Sequence, residues 1–242
     1  MPETEPEEET LRARLEEVRR RIDASAGRAG RVPEEVTLIA VSKTHPVALL
    51  REAVAAGARV FGENRVQEAE AKIEELSRDA DVRWHLIGHL QANKARRAAR
   101  LFDCIHSVDS VALVERLERL CVEENRERLE ILLQIDLAGE ATKEGAREDE
   151  VPALVASLAS CERLRLKGLM TLPPFEEEAE RVRPFFRRLR ELRDRLRDAN
   201  AFPEGAGELS MGMSHDFEVA VEEGATLVRV GTAIFGARAR VL

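Results

Sequence analysis

The sequence predicts a single TIM-type (β/α)8 barrel with one extra helix ahead of the first strand. Three observations predict it. Short β-branched or apolar runs alternate with segments of helical periodicity, which implies a parallel sheet with crossover helices. The runs number about eight, and the 242 residues come near the roughly 250 typical of such barrels, which favours closure over an open doubly wound sheet. No long Pro/Gly/Ser-rich linker splits the chain. Residues 1–8 therefore read as an acidic flexible tail and 9–242 as one barrel domain.

Taken in order, Leu11, Leu15, Val18 and Ile22 recur at helical spacing and predict an amphipathic helix over 9–24. Strands are predicted at "VTLIAVS" (36–42), "ARVFG" (58–62), "WHLIG" (84–88), "CIHSV" (104–108), "EILLQID" (130–136), "LRLKGLM" (164–170), "GELSMGM" (207–213) and "TLVRVG" (226–231). Helical periodicity fills segments between them, among them 46–57, 64–76 and 110–124. The longest such segment, 177–199, places Val182, Phe185, Phe186, Leu189, Leu192 and Leu196 on one stripe. Pro184 either begins that helix or kinks it.

Composition narrows the function. A 44% hydrophobic and 35% charged chain has the balance of a globular protein with a substantial core. Its net charge of -8 argues against a general nucleic-acid binder. No apolar run approaches the roughly 20 residues a membrane span needs, and "MPETEPEEET" lacks the basic start and apolar core of a signal peptide. Cys104, Cys121 and Cys161 are widely spaced and odd in number, as expected of reduced thiols in a cytoplasm, with no zinc-site pattern. The helical faces and rim show no apolar surplus, so a monomer is expected. There is no tyrosine.

In a barrel of this kind the functional site lies at the C-terminal ends of the strands. The first strand ends in Ser42-Lys43, the second in Gly62-Glu63-Asn64, the third holds His85, the seventh gives "SMGMSHD", and the eighth gives Arg229 and Gly231-Thr232. Lys43 reads either as a cation snorkelling to solvent or as a desolvated amine ready to form a Schiff base with a carbonyl. Gly231-Thr232 meets a predicted helical turn whose amides could take an anion. Ser214, after the seventh strand, reads as a second such position or as a plain N-cap. Two of them after strands seven and eight fit a phosphate-bearing ligand. If Val228 and Val230 pack outward, Arg229 points into the barrel, toward a ligand or a structural carboxylate. His85 and His89 are spaced i,i+4 but lack the glutamate of H-E-x-x-H, so no metal is expected. "NKARRAAR" (93–100) reads as a solvated basic helix face, and Asp136 as an acid–base group without a sequence-evident partner.

The motifs "LIAVSKTHP", "FGENRVQEA", "WHLIGHLQANK", "IHSVDS" and "LSMGMSHDFEVAVEEGATLVRVGTAIFGAR" resemble the YggS/PROSC family of pyridoxal phosphate homeostasis proteins over roughly residues 36–238. The resemblance implies a barrel like the N-terminal domain of alanine racemase, a fold-type III protein, and pyridoxal 5′-phosphate (PLP) held as a Schiff base on Lys43. It further implies that Ser214, Gly231 and Thr232 hold the phosphate, that Arg229 faces the pyridine nitrogen, and that Asn64 and Met211 line the ring. Arginine disfavours protonation of that nitrogen and so weakens the ring as an electron sink. Racemases of this fold also need a tyrosine on the opposite face, which this chain lacks. The expectation is a protein that buffers or delivers the cofactor, with PLP-dependent apo-enzymes as possible partners and no robust turnover. The alternative is a slow amino-acid racemase that uses Cys104, His85 or a water as second base.

Overall fold

The computed structural model describes residues 10–76, 81–139, 144–202, 205 and 207–236. The acidic tail expected at 1–8 lies outside them. Eight parallel strands close into one barrel in sequence order. They are β1 (Thr37–Val41), β2 (Val60–Glu63), β3 (Arg83–Leu86), β4 (Cys104–Val108), β5 (Leu129–Gln134), β6 (Leu164–Met170), β7 (Glu208–Met213) and β8 (Leu227–Val230). β8 pairs back onto β1, with Thr37 opposite Leu227 and Ala40 opposite Val230. All eight predicted runs overlap a strand, because strands buried on both faces carry near-continuous apolar sequence.

Around the barrel run α1 (Leu11–Arg28), α2 (Val47–Ala55), α3 (Val66–Leu76), α4 (Ala95–Leu101), α5 (Val111–Glu123), α6 (Val151–Leu158), α7 (Arg183–Asp198), α8 (Phe217–Glu222) and α9 (Thr232–Phe235). The extra helix α1 is capped by Thr10, whose hydroxyl accepts from the Ala13 amide. Its buried face, Leu11, Leu15, Val18 and Ile22, packs on α2, α8 and α9 and so covers the seam where β8 meets β1. Pro184 lies in the first turn of α7 and begins that helix. Among the described residues no helix is long and apolar enough to cross a membrane.

The core has two layers. The larger cluster lies between sheet and helices and includes Leu15, Ala40, Phe61, Val228 and Val230. A smaller one fills the barrel, built from Ile39, Cys104, Leu132, Met170 and Leu227. Strand alternation explains the division: Val228 and Val230 face outward, and Leu227 and Arg229 face inward. One irregularity matters for the site. Ser210 pairs with Leu227 but Met213 pairs with Arg229, so β7 carries one residue more than β8 across that interval. Gly212 lies within this bulge with φ of 90°, where a Cβ would come 2.6 Å from the Ala220 Cβ of α8. Only glycine fits.

Candidate functional site at the barrel mouth

Lys43 stands in a turn just beyond β1, partly buried. The end of β8 closes directly against it. A Cβ on Gly231 would lie 3.2 Å from the Val41 carbonyl oxygen, so glycine lets the two backbones approach. His45, two residues past Lys43, stacks on Phe235 of α9 with ring centroids 4.9 Å apart. Ser214, beyond β7, reaches across to the same place: its Oγ accepts from the Gly231 amide at 3.2 Å and from the Ala233 amide at 3.4 Å. The N-cap reading of Ser214 is thereby corrected. Helix α8 starts at Phe217 with Asp216 in the cap position, and the Ser214 hydroxyl serves the neighbouring turn instead.

Lys43, Ser214, Gly231 and Thr232 thus sit at the adjoining ends of β7, β8 and β1, with Thr232 exposed. Asn64 follows β2, next in order, and is partly buried. It lines a cleft of about 870 Å³ that continues along the mouth past Gly88, His89, Lys94, Gln134 and Leu172. Met211 is wholly buried in the main apolar cluster, so it offers apolar surface and no hydrogen bond.

Arg229 points into the barrel, as strand alternation implied, and is 3% exposed. Its partners differ from the carboxylate considered for it. One guanidinium nitrogen donates to the Ser210 hydroxyl at 2.6 Å and the other to the Thr171 carbonyl at 2.9 Å. Burial lowers its pKa to about 10, a drop that the charge of Asp216 opposes. The guanidinium remains a cation at neutral pH, steadied by neutral groups.

Behind Ser210 runs a buried chain that local sequence patterns gave no means of finding. His106 Nδ1 lies 2.9 Å from Ser210 Oγ, and His106 Nε2 lies 2.9 Å from His85 Nδ1. Because Ser210 accepts from Arg229, its own proton is best placed on the His106 Nδ1 lone pair, which makes His106 Nε2–H the donor to His85. Burial pushes the His85 pKa down to about 3 and that of His106 well below the ordinary imidazole value. Cys104 Sγ lies within 4.8 Å of one ring nitrogen of each histidine, and burial holds its thiol protonated. The i,i+4 pair of histidines does not assemble: His89 is at the surface, 3.5 Å from Glu144. Asp136 accepts the amides of Ala138 and Gly139 in a local turn.

The chain matches the family model "Alanine racemase, N-terminal domain" over residues 13–239, so fold and sequence define a barrel of that class. It is 44% identical over 227 residues to the pyridoxal phosphate homeostasis protein of Aquifex aeolicus, covering 93% of this chain and 97% of that one. Identity to the protein of the same name from Pseudomonas aeruginosa is 45% over 233 residues, covering 95% and 96%. The solved structure of PipY from Synechococcus elongatus with PLP bound superposes with a TM-score of 0.82 at 42% identity, covering 94% of this chain and 100% of that one. Alanine racemase from Corynebacterium glutamicum, at 19% identity and a TM-score of 0.62, shares the fold over 94% of this chain and 63% of its own. The chain belongs to the family of pyridoxal phosphate homeostasis proteins.

Proposed function

We propose that this chain binds pyridoxal 5′-phosphate at the β7–β8–β1 corner and serves PLP homeostasis in the cytoplasm, holding the cofactor and handing it to PLP-dependent apo-enzymes. One observation carries the reading: the Lys43 turn and the 231–235 turn are joined, through Gly231 against Val41 and His45 against Phe235. An amine and a set of hydroxyl and amide donors thereby share one corner. The donor set fits the group. Ser214, Gly231 and Thr232 would hold the phosphate, since hydroxyl and amide N–H groups suit a dianion. Lys43 would anchor the aldehyde, Arg229 would face the ring nitrogen, and Asn64 would border the ring, whereas Met211 packs in the layer between sheet and helices. When bound, PLP supplies an aldehyde that a lysine can hold covalently and a ring that can accept electrons.

The protein's own groups favour holding over turnover. Arg229 keeps its proton and denies one to a ring nitrogen set before it. His85 is a very weak base and the Cys104 thiol stays protonated, so neither is suited to move a proton at neutral pH. Working as a monomer fits the same role, and the free thiols suit a reducing compartment.

The test is the visible spectrum of the purified protein with added PLP, wild type beside Lys43→Ala. A band that depends on Lys43, without exchange of the α-proton of L-alanine in D₂O by NMR, supports the reading. Brisk Lys43-dependent exchange would replace it with the racemase alternative. Absence of the band in wild type would remove Lys43 as the anchor.

A further inference from the structure

Helix α3 carries a lysine on its buried stripe. Val66, Ala69, Lys72 and Leu76 are its buried residues, and Lys72 is only 6% exposed. A buried ammonium persists only where partners surround it. The Lys72 Nζ donates to Glu63 Oε1 at 2.8 Å, to Glu68 Oε1 at 2.7 Å and to the Ser42 carbonyl at 2.7 Å. Ser42 Oγ also donates to Glu63 Oε1, at 2.6 Å. On the other side of Lys43, the Thr44 amide donates to Glu68 Oε1. The residues immediately before and after Lys43 are therefore gripped by one cluster of two carboxylates and an ammonium.

Two features show that this grip is maintained at a cost. Thr44 has φ of 66°, a left-handed conformation that a β-branched residue adopts only when its surroundings dictate it. Glu63 is fully buried, and its second oxygen has no hydrogen-bond partner. Burial raises its pKa, although Lys72 and Ser42 pull it down. Strain and buried charge converge on the two neighbours of a single side chain.

We infer that Glu63, Lys72 and Glu68 are positioning residues for Lys43, fixing its turn so that the amine is presented for condensation with an aldehyde-bearing ligand. The inference rests on the proposed role of Lys43 as anchor. The condensation joins the amine nitrogen to the aldehyde carbon and releases one water. The cluster takes no part in that exchange and acts only through the backbone on either side.

The measurement is the rate at which the Lys43-dependent band appears after mixing with PLP, followed by stopped-flow absorbance across pH. Three forms are compared with wild type: Glu68→Ala, Glu68→Gln, and the double variant Glu63→Gln/Lys72→Met, which removes both buried charges together. The rate should fall about tenfold or more in Glu68→Ala and in the double variant. It should recover in Glu68→Gln, which keeps an oxygen for the Thr44 amide. Rates within about twofold of wild type in all three would overturn the inference. So would a loss that merely tracks the folded fraction measured by circular dichroism in the same samples. If wild type shows no Lys43-dependent band, the anchor reading fails first and takes this inference with it. A normal wild-type band with unaffected variants sinks the positioning role alone.

Discussion

Among the described residues two cations, Lys72 and Arg229, are buried, and they are held by opposite means. Lys72, behind the β1 turn, has Glu63 and Glu68 within 2.8 Å. Arg229, inside the barrel, is held by a hydroxyl and a carbonyl. The first charge is met at contact by two carboxylates. Among the described residues no carboxylate hydrogen-bonds to the second, and the charge of Asp216 acts on it only through space. A cation paired at contact with carboxylates suits a brace, and one held by neutral hydrogen-bond partners suits a ligand-facing position.

The largest expected effect separates the two on stability in the absence of ligand. Lys72→Met strands Glu63, which is wholly buried, and should cost about 3 kcal/mol or more by urea unfolding. Arg229→Met leaves a hydroxyl and a carbonyl without a donor and removes the cation whose charge favours ionised Asp216, and should cost about 1–2 kcal/mol. Equal losses, or a greater one at Arg229, would break the contrast.

The chain of side chains behind Arg229 supplies the next test. His85 has its pKa lowered from 6.5 to about 3, and His106 shifts the same way. The folded state therefore stays unprotonated at both rings where the unfolded chain takes up protons. The His85 contribution to stability is complete above pH 6.5 and is lost as pH falls from there toward 3, and that of His106 is lost in the same direction. With both sites titrating in the unfolded chain, stability should drop by up to about 2.7 kcal/mol per pH unit around pH 5. His106→Gln should flatten that slope in urea titrations at several pH values. An unchanged slope would mean that the histidines are already protonated in the fold. Lys72 sharpens the comparison from the other side. Hydrogen bonds from Lys72 and Thr44 more than reverse the effect of burial on Glu68 and lower its pKa. Its contribution is therefore held until pH falls below 4.5.

The same two regions show what a single sequence can and cannot disclose. The strand count and the inward direction of Arg229 were legible because burial on both faces and alternation are local patterns. Lys43, Gly231 and Thr232 were legible as candidates because barrel sites gather at strand ends. The partners of Arg229 were not, since Ser210 and Thr171 lie 19 and 58 residues from it in sequence and nothing local joins them. Lys72 carried a signal in the sequence. It falls on the stripe of Val66, Ala69 and Leu76, where an apolar residue is expected. A charged residue on a buried stripe asks for partners. Here they come from the end of β2, from the preceding turn of α3 and from the Ser42 carbonyl. Ser214 was misread as a possible N-cap because capping is a local habit of serine, whereas the bulge in β7 directs it to the neighbouring strand end.

The smallest expected effect concerns Thr44, where the brace meets the anchor. A threonine in the left-handed region costs about 1–2 kcal/mol relative to the right-handed one. Glycine removes that cost but adds about 0.5–1 kcal/mol of backbone entropy to be lost on folding. Thr44 is exposed, so its side chain gives up little packing. Thr44→Gly should therefore stabilise the ligand-free protein by about 0.5 kcal/mol, read as a raised urea midpoint. The informative number is the coupling to Glu68. If the bond from the Thr44 amide to Glu68 holds the strained turn closed, Glu68→Ala should cost less in the glycine background, with a coupling of about 0.5 kcal/mol or more in the double-mutant cycle. Strict additivity would show that Thr44 keeps its conformation without Glu68. The grip on Lys43 would then come from the Ser42 side alone, through Lys72 and Glu63.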